Sequence, residues 1–399
     1  SDAMPQRVFI TGFGIISAIG NGADETLASL KAKQSGIGRL ELFESALSNI
    51  PVGEIKKSAL ELSELAGIEH NVHNSRAFLL GLIAAKAAMQ MAGYQKGYNR
   101  MGMIGSTTVA GQDLLDTYYT QMLDGTLVDA EMHRAFTGAD ATEKIAITLG
   151  IKHNVTTIST ACSSSANAIM NGVRMIRSGL ADTMLVGGMD SLVRFSLNGF
   201  NALEILSPTG CKPFDQNRNG ITPGEGAAFL VLESEAKTAG KQKYGEIRGF
   251  ANFNEAYHQT LVNPDGVYAE AAMRKAIETA GLQPADIDYL NAHGTGTEAN
   301  DLVESKAIKS VFGNHLPHIS STKGFTGHTF AAAGAIECVF SLLAINNNLA
   351  LPNVGFSTPI DETGIIPVTE PTSMKINNII SNSFGFGGND TSLVISKAE

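Results

Sequence analysis

Apolar positions along the chain recur in two rhythms. Short β-branched or aliphatic runs such as Val155-Thr156-Thr157-Ile158 and Thr183–Val186 have the length of buried strands. Between them lie longer stretches with the period of a helix. From Ser163 to Ser178, Ile169, Val173 and Ile176 fall at spacings of four and three, and Gly179 stops the pattern. Near the start, Arg7–Thr11 reads as a strand entering a Gly loop. The run from Val8 to Gly20 is apolar enough for a signal-peptide core. However, Gly12, Gly14 and Gly20 interrupt it, and no small-residue cleavage pattern precedes Asp24 and Glu25. Strands alternating with helices predict an α/β protein built in layers.

The pattern also repeats once. The helix ending Ala84-Ala85-Lys86-Ala87-Ala88-Met89-Gln90-Met91-Ala92-Gly93 returns as Ala272-Met273-Arg274-Lys275-Ala276-Ile277-Glu278-Thr279-Ala280-Gly281, at an offset of 188. Ile104–Thr108 aligns with Ala292–Gly296 at that same offset. Further on, Ser159-Thr160 matches Ser321-Thr322 and Gly172 matches Gly334 at 162, while Gly224–Val231 matches Gly387–Val394 at 163. The change of register predicts an excess of 26 residues in the first half, within about 114–153. Each half reads strand, helix, strand, loop, helix, strand and a final strand after a Gly turn. The division expected is residues 4–240 and 241–399. No Pro/Ser-rich linker separates the halves, which predicts one duplicated unit.

Composition narrows the function classes. The 399 residues are 43% hydrophobic and 17% charged, which excludes a disordered chain. A net charge of −10 argues against a general nucleic-acid or membrane-surface binder. No apolar stretch is read as long enough to span a membrane, so a soluble protein is expected. Ser1-Asp2-Ala3 ahead of Met4 reads as a remnant of cloning and is set aside. Three cysteines, Cys162, Cys211 and Cys338, make no disulfide framework; they suggest a reducing cytoplasm and leave room for one working thiol.

Cys162 is the candidate. It follows a β-branched run and opens a helix, where unpaired backbone N–H groups favour a thiolate and could hold an oxyanion. A buried cysteine is also an ordinary core residue, but Thr160 and Ser163–Ser165 make this a polar turn. Cys338, beside Val339 and Phe340, reads as core, and Cys211 has no partner pattern. In the second half His293 closes the strand Tyr289–Ala292 and enters Gly294-Thr295-Gly296-Thr297. His328 precedes an Ala/Gly helix, in the position that the repeat pairs with Ala166, and Lys323 lies five residues before it. The repeat puts these loops at the same ends of their strands as Cys162, where open sheets bind ligands. One Cys, two His and one Lys there suit acyl transfer. Taken alone, each His is as readily a hydrogen-bonded loop residue. No His-x-x-x-His or Cys-x-x-Cys spacing supports a metal site. The Gly cluster Phe384–Gly388 precedes a strand rather than a helix, so it is not a dinucleotide loop; it would let backbone approach a ligand or the Cys162 loop.

Four ordered motifs then resemble one family. Thr160-Ala161-Cys162-Ser163-Ser164-Ser165, His293-Gly294-Thr295-Gly296-Thr297, Lys323-Gly324-Phe325-Thr326-Gly327-His328 and Asn382-Ser383-Phe384-Gly385-Phe386-Gly387-Gly388 resemble a β-ketoacyl-acyl carrier protein synthase of the elongating class, types I and II. The match runs from Arg7 to Ser396 and includes Lys212-Pro213-Phe214-Asp215 and Gly224-Glu225-Gly226. The resemblance implies the thiolase-like α/β fold, a duplicated five-layer α-β-α-β-α arrangement of two similar halves. It implies decarboxylative Claisen condensation of a Cys-bound acyl chain with malonyl-acyl carrier protein, in fatty-acid or related polyketide or polyene synthesis. Cys162 is then the nucleophile, and His293 and His328 hold the malonyl thioester carbonyl. The Cys162 and Phe386 N–H groups form an oxyanion hole, with Phe386 as gatekeeper. Thr295, Thr297 and Phe384 contact the pantetheine arm, and Lys323 with Glu337 orders the His328 loop. No metal or other cofactor is implied; the carrier's phosphopantetheine brings the substrate. A homodimer is expected, and a heterodimer is the other arrangement.

This chain departs from the family at Gly387-Gly388-Asn389-Asp390, where Gly-Gly-Thr-Asn is frequent, and at Thr222-Pro223. Of the basic residues usually used for carrier docking, Arg76 matches, with His73, Asn74 and Ala77 around it. The excess segment would lie at the dimer contact and acyl pocket, or add a helical pair to the core. Other readings are a thiolase, a cysteine hydrolase, and a non-catalytic subunit that sets chain length in a heterodimer. A thiolase pairs one His with a second Cys, a hydrolase needs a group orienting a single base, and the non-catalytic subunit lacks the nucleophile.

Overall fold

The computed structural model describes residues 5–126 and 129–399. Ser1–Met4 and two residues of the excess segment, Leu127 and Val128, lie outside the described residues, and so does the reading of Ser1–Ala3.

One mixed sheet of eleven strands runs through the molecule, and ten of them carry the architecture. The first half supplies β1 (Val8–Ser17), β2 (Met101–Ser106), β3 (Val155–Ile158), β4 (Thr183–Asp190) and β5 (Gly226–Ser234). The second supplies β6 (Gly245–Asn254), β7 (Tyr289–Asn291), β8 (His318–Ser320), β9 (Asn378–Phe384) and β10 (Asn389–Ser396). Their spatial order is β8-β7-β9-β10-β6-β1-β5-β4-β2-β3, a palindrome in which each strand has its counterpart five numbers away. Pairing follows the same symmetry: β2 is parallel to β3 and β4 as β7 is to β8 and β9, and β5 and β10 run antiparallel to their neighbours. The halves join where β1 meets β6, at Phe9 with Glu246 and Ile10 with Gly245.

Five helices complete the layers: α1 (Arg76–Met91), α2 (Ser164–Arg177), α3 (Val267–Thr279), α4 (Glu298–Phe312) and α5 (Ala333–Asn347). α1 covers β1, β4 and β5 from outside, and α3, with α4 beside it, covers β6, β9 and β10. α2 and α5 pack on each other between the two halves of the sheet, touching strands of both. The result is the α-β-α-β-α arrangement. Three apolar cores correspond to it: one around α2 and α5, and one under each outer layer.

Several details depart from the sequence reading. β1 runs on to Ser17 through the glycines expected to break it. A Cβ on Gly12 would lie 2.2 Å from the Ala88 carbonyl oxygen, and one on Gly14 would lie 2.0 Å from that of Ala84. Those glycines let α1 lie directly on the strand. The segment Phe330–Asn347 has 18 residues of mean hydropathy 1.5, long and apolar enough by composition to cross a membrane. The expectation that no apolar stretch reaches that length is therefore corrected. The segment is 89% buried inside the protein, as the central layer requires.

The repeat holds at its ends. α1 and α3 stop at Met91 and Thr279, 188 apart, each followed by a left-handed glycine, Gly93 (φ 87°) and Gly281 (φ 70°). β5 and β10 begin 163 apart. In the middle the register of 162 fails, because Gly172 lies in the interior of α2 whereas Gly334 is in the first turn of α5. His328 therefore corresponds to Cys162 rather than to Ala166; each stands two residues before a helical segment, at Ser164 and Phe330. Residues 107–154 join β2 to β3, 48 residues against the 26 of 292–317 between β7 and β8, so the excess is 22 rather than 26. Within it the helix Asp140–Leu149 packs on α1, burying Ala141, Ile145, Ala146 and Leu149.

Candidate active site

The topology brings the carboxyl ends of β3, β7 and β8, the N-termini of α2 and α5, and the β9–β10 turn to one place. Cys162, His293, His328, Thr295, Thr297, Phe384 and Phe386 all line one cavity of about 150 Å³ there. No described residue of 114–153 lines it, so the excess segment does not form this part of the pocket.

Cys162 sits at a strained turn. Ala161 has φ 55°, a left-handed conformation unusual for a residue with a Cβ. Hydrogen bonds hold it in place: Ser163 Oγ donates to Asn389 Oδ1 at 2.7 Å, and Asn167 Nδ2 donates to Thr160 Oγ1 and Asn389 Oδ1, each at 2.9 Å. Asn389, one of the departures noted in the sequence, thus clamps the β9–β10 turn to the Cys162 turn. Gly385 is there for close approach; a Cβ would lie 3.2 Å from the Cys162 nitrogen. The Phe386 backbone N–H is close enough to the Cys162 sulfur to favour its ionised form. Ile221 and Phe330, with Phe200, Ile205 and Leu206, make an apolar surround for the thiol.

The expectation of a standing thiolate at the helix N-terminus is corrected by this burial. Desolvation dominates and pushes the Cys162 thiol up to about 11, although the Phe386 N–H and the Lys323 charge pull the other way. The resting sulfur is a thiol.

His293 and His328 face each other with ring centroids 5.3 Å apart and planes at 87°. Both are buried and pushed well below the ordinary imidazole value, by desolvation first and the Lys323 charge second. Both rings are therefore neutral, and their hydrogen bonds select one tautomer. Lys323, which can only donate, reaches His293 Nδ1 at 3.4 Å, and the Phe330 N–H donates to His328 Nδ1 at 3.2 Å. With Nδ1 accepting in each ring, the proton sits on Nε2.

Lys323 ties the two His loops together. It opens the short helix Lys323–Thr326 that leads to His328, yet its ammonium bonds the His293 carbonyl oxygen at 2.7 Å and Glu337 at 2.8 Å. Thr295 and Thr297 bring their hydroxyls within 2.9 Å of each other at the start of α4, and the Phe384 ring lies 6.0 Å from His293. Arg76, which the resemblance offers for carrier docking, is only 8% exposed. It is buried and bonds Glu225 through two nitrogens, at 2.8 and 2.9 Å.

Sequence reasoning missed four supports. Glu304 on α4 accepts the His293 and Gly294 N–H groups, each at 2.8 Å. Asp190, at the end of β4, accepts the Ala331 N–H at 2.9 Å and thereby holds the start of the His328 segment to the first half. The Thr222 carbonyl accepts the His328 N–H at 2.7 Å, and Asn167 bridges as described. None forms a spaced motif with the residue it serves. Only Thr222-Pro223 carried a signal, as a departure.

Comparison with known proteins agrees with this geometry. The model of the β-ketoacyl synthase N-terminal domain matches residues 5–238, and that of the β-ketoacyl synthase C-terminal domain matches 244–357. The chain belongs to the β-ketoacyl synthase family. It is 33% identical to the 3-oxoacyl-[acyl-carrier-protein] synthase 2 of Staphylococcus aureus (strain COL), covering 99% of each chain, and 32% identical to that of Coxiella burnetii, covering 98% of this chain and 99% of the other. Among solved structures, the ishigamide ketosynthase/chain length factor superposes with a TM-score of 0.93 at 28% identity, covering 99% of this chain and 100% of that one. A ketosynthase in complex with its chain length factor from Xenorhabdus doucetiae gives 0.83 at 32% identity, over 98% of both. Like these synthases, the chain is an acyltransferase-type condensing enzyme with the thiolase-like fold.

Proposed function

We propose that this β-ketoacyl synthase condenses a Cys162-bound acyl chain with a malonyl thioester, each delivered on the phosphopantetheine arm of an acyl carrier protein. The observation that carries the division of roles is the pair of neutral imidazoles, both presenting Nε2–H into the cavity that holds Cys162. In the first half-reaction the sulfur attacks the acyl thioester carbonyl. The bond to the pantetheine sulfur breaks, that sulfur leaves with the thiol proton, and the N–H groups of Cys162 and Phe386 receive the oxyanion. In the second, the malonyl thioester oxygen accepts both Nε2–H groups. The carboxylate leaves as CO₂, and its electron pair forms the enolate those donors stabilise. The enolate carbon attacks the acyl carbonyl, a C–C bond forms, and the Cys162 sulfur is released and reprotonated. Thr295, Thr297 and Phe384 would line the pantetheine path. Nothing in this sequence of steps calls for a metal or a further cofactor.

The same reading extends to partners. β3 ends the sheet with one edge unpaired among the described residues, which supports pairing with a second copy or with a related subunit. Three buried free thiols fit a reducing, cytoplasmic setting. With Arg76 buried, carrier docking falls to other basic residues. A non-catalytic chain-length subunit is disfavoured by the intact nucleophile and its oxyanion donor.

Mass spectrometry of the protein with acyl-carrier thioesters tests the proposal. An acyl adduct on Cys162 is expected and should vanish in Cys162→Ala. His293→Ala and His328→Ala should load normally yet condense about 100- to 1,000-fold more slowly, the scale of losing one oxyanion donor. Equal loss of loading in the His variants would refute the roles.

A further inference from the structure

One feature of this cavity is unused by the chemistry above. Two carboxyl groups, Glu255 and Asp390, line its wall, and both side chains are buried. Asp390 pairs with Phe253 across β10 and β6, and the Glu255 N–H continues that ladder to the Gly388 carbonyl at 2.8 Å. Alternation along a strand therefore puts Glu255 and Asp390 on one face, diagonally opposed. Glu255 Oε2 accepts the Asn263 N–H at 3.1 Å, whereas Asp390 Oδ2, on a side chain 3% exposed, has no hydrogen-bond partner among the described residues. A Cβ on Gly388 would come within 2.7 Å of the Glu255 Cβ, so the turn bearing Phe386 rests directly on this residue.

Among the described residues, no lysine or arginine lines the cavity. The other titratable groups there are Glu304 from α4, the neutral His293 and His328, and Cys162. Two apposed carboxylates without a cation repel each other; with one proton between them they form a hydrogen bond. We propose that Glu255 and Asp390 share one proton, and that this acid pair latches the Gly385–Gly388 turn in the position that aims the Phe386 N–H at Cys162. It rests on the reading of Cys162 as the acylated residue. Burial first, then Glu255, pushes the Asp390 acid up to about 10. A raised acid favours the protonated, closed arrangement at low pH and releases it as pH rises toward that value. Asp390 and Glu255 act here as positioning residues, through Phe386.

Asp390→Asn supplies an amide N–H in place of the shared proton and should keep the turn closed at every pH. Pulse hydrogen exchange of the Phe386–Gly388 amides, corrected for intrinsic rate, reads this directly. The wild-type to Asp390→Asn protection ratio should fall at least about tenfold between about pH 6 and pH 10. Acylation of Cys162, followed by mass spectrometry, should fall in parallel in the wild type relative to the variant; thiol ionisation is common to both and cancels. A protection ratio that stays constant overturns the latch even where Cys162 acylates. A ratio that falls while no adduct forms supports the latch and removes the reading of Cys162 instead. If Asp390→Asn does not fold, Glu255→Gln carries the same expectations.

Discussion

Lys323→Met separates the structural and chemical duties of one buried charge. The ammonium holds Glu337 through contacts of 2.8 and 3.2 Å, and the His293 carbonyl and Nδ1 at 2.7 and 3.4 Å. Methionine fills much of the same volume and donates nothing. Two losses follow: a buried Glu337 carboxylate without its cation, and a buried carbonyl without its donor. Removing one partner of a buried ion pair costs about 3–5 kcal/mol, a figure that already includes much of the second loss. Burial holds Glu337 up at about 7 even beside the lysine. The carboxylate is thus charged at about pH 8 and largely protonated at about pH 5.5, where the missing cation matters less. Urea unfolding of wild type and variant at both pH values should show the larger difference at about pH 8. The His293 ring also loses the donor that fixes its tautomer and the charge that, after burial, helps hold it neutral. Condensation should fall about 100-fold, the scale of a misplaced catalytic group, while acyl loading of Cys162 stays within a few-fold. A variant equally destabilised at both pH values, or one that condenses at the wild-type rate, would refute this assignment of Lys323.

Arg76→Met should destabilise the fold by about 3–5 kcal/mol, because it strands the buried Glu225 carboxylate. Carrier affinity of whatever folded protein remains should be unchanged; a selective loss of carrier binding would return Arg76 to the docking surface. Because burial and Lys323 depress both imidazoles, the neutral form should persist as pH falls through the ordinary imidazole range near 6.5. Nitrogen NMR of the histidine rings at about pH 6 should show Nε2–H neutral tautomers for His293 and His328. Protonation of either ring at that pH would contradict the hydrogen-bond assignment.

Much of the site was legible because its residues sit where local rules already mark the chain. Cys162, His293 and His328 each stand at the junction of a strand with a loop or helix, and the Gly cluster announced close backbone approach. The residues that hold them were not legible. Glu304, Asp190 and Thr222 act through hydrogen bonds to backbone groups of other elements, and such bonds leave no spacing. The Gly387-Gly388-Asn389-Asp390 departure was visible as an oddity. Its parts separate in space: Asn389 faces the Cys162 turn, while Asp390 faces Glu255.

Periodicity and the internal repeat determined, from the chain alone, a layered α/β protein of two similar halves, and the strand-to-helix turn marked Cys162 as the candidate thiol. Tertiary structure decided the rest, because the outcome there depends on what lies across a packed interface. It made Gly12 and Gly14 part of a strand, since α1 lies on them. It turned an apolar segment long enough for a membrane into the central layer between two half-sheets. It exchanged a helix-stabilised thiolate for a desolvated thiol, because burial at Cys162 outweighs the N–H groups that local reasoning counted. And it moved Arg76 from the surface to a buried pair with Glu225, since charge is written in the sequence but exposure is not.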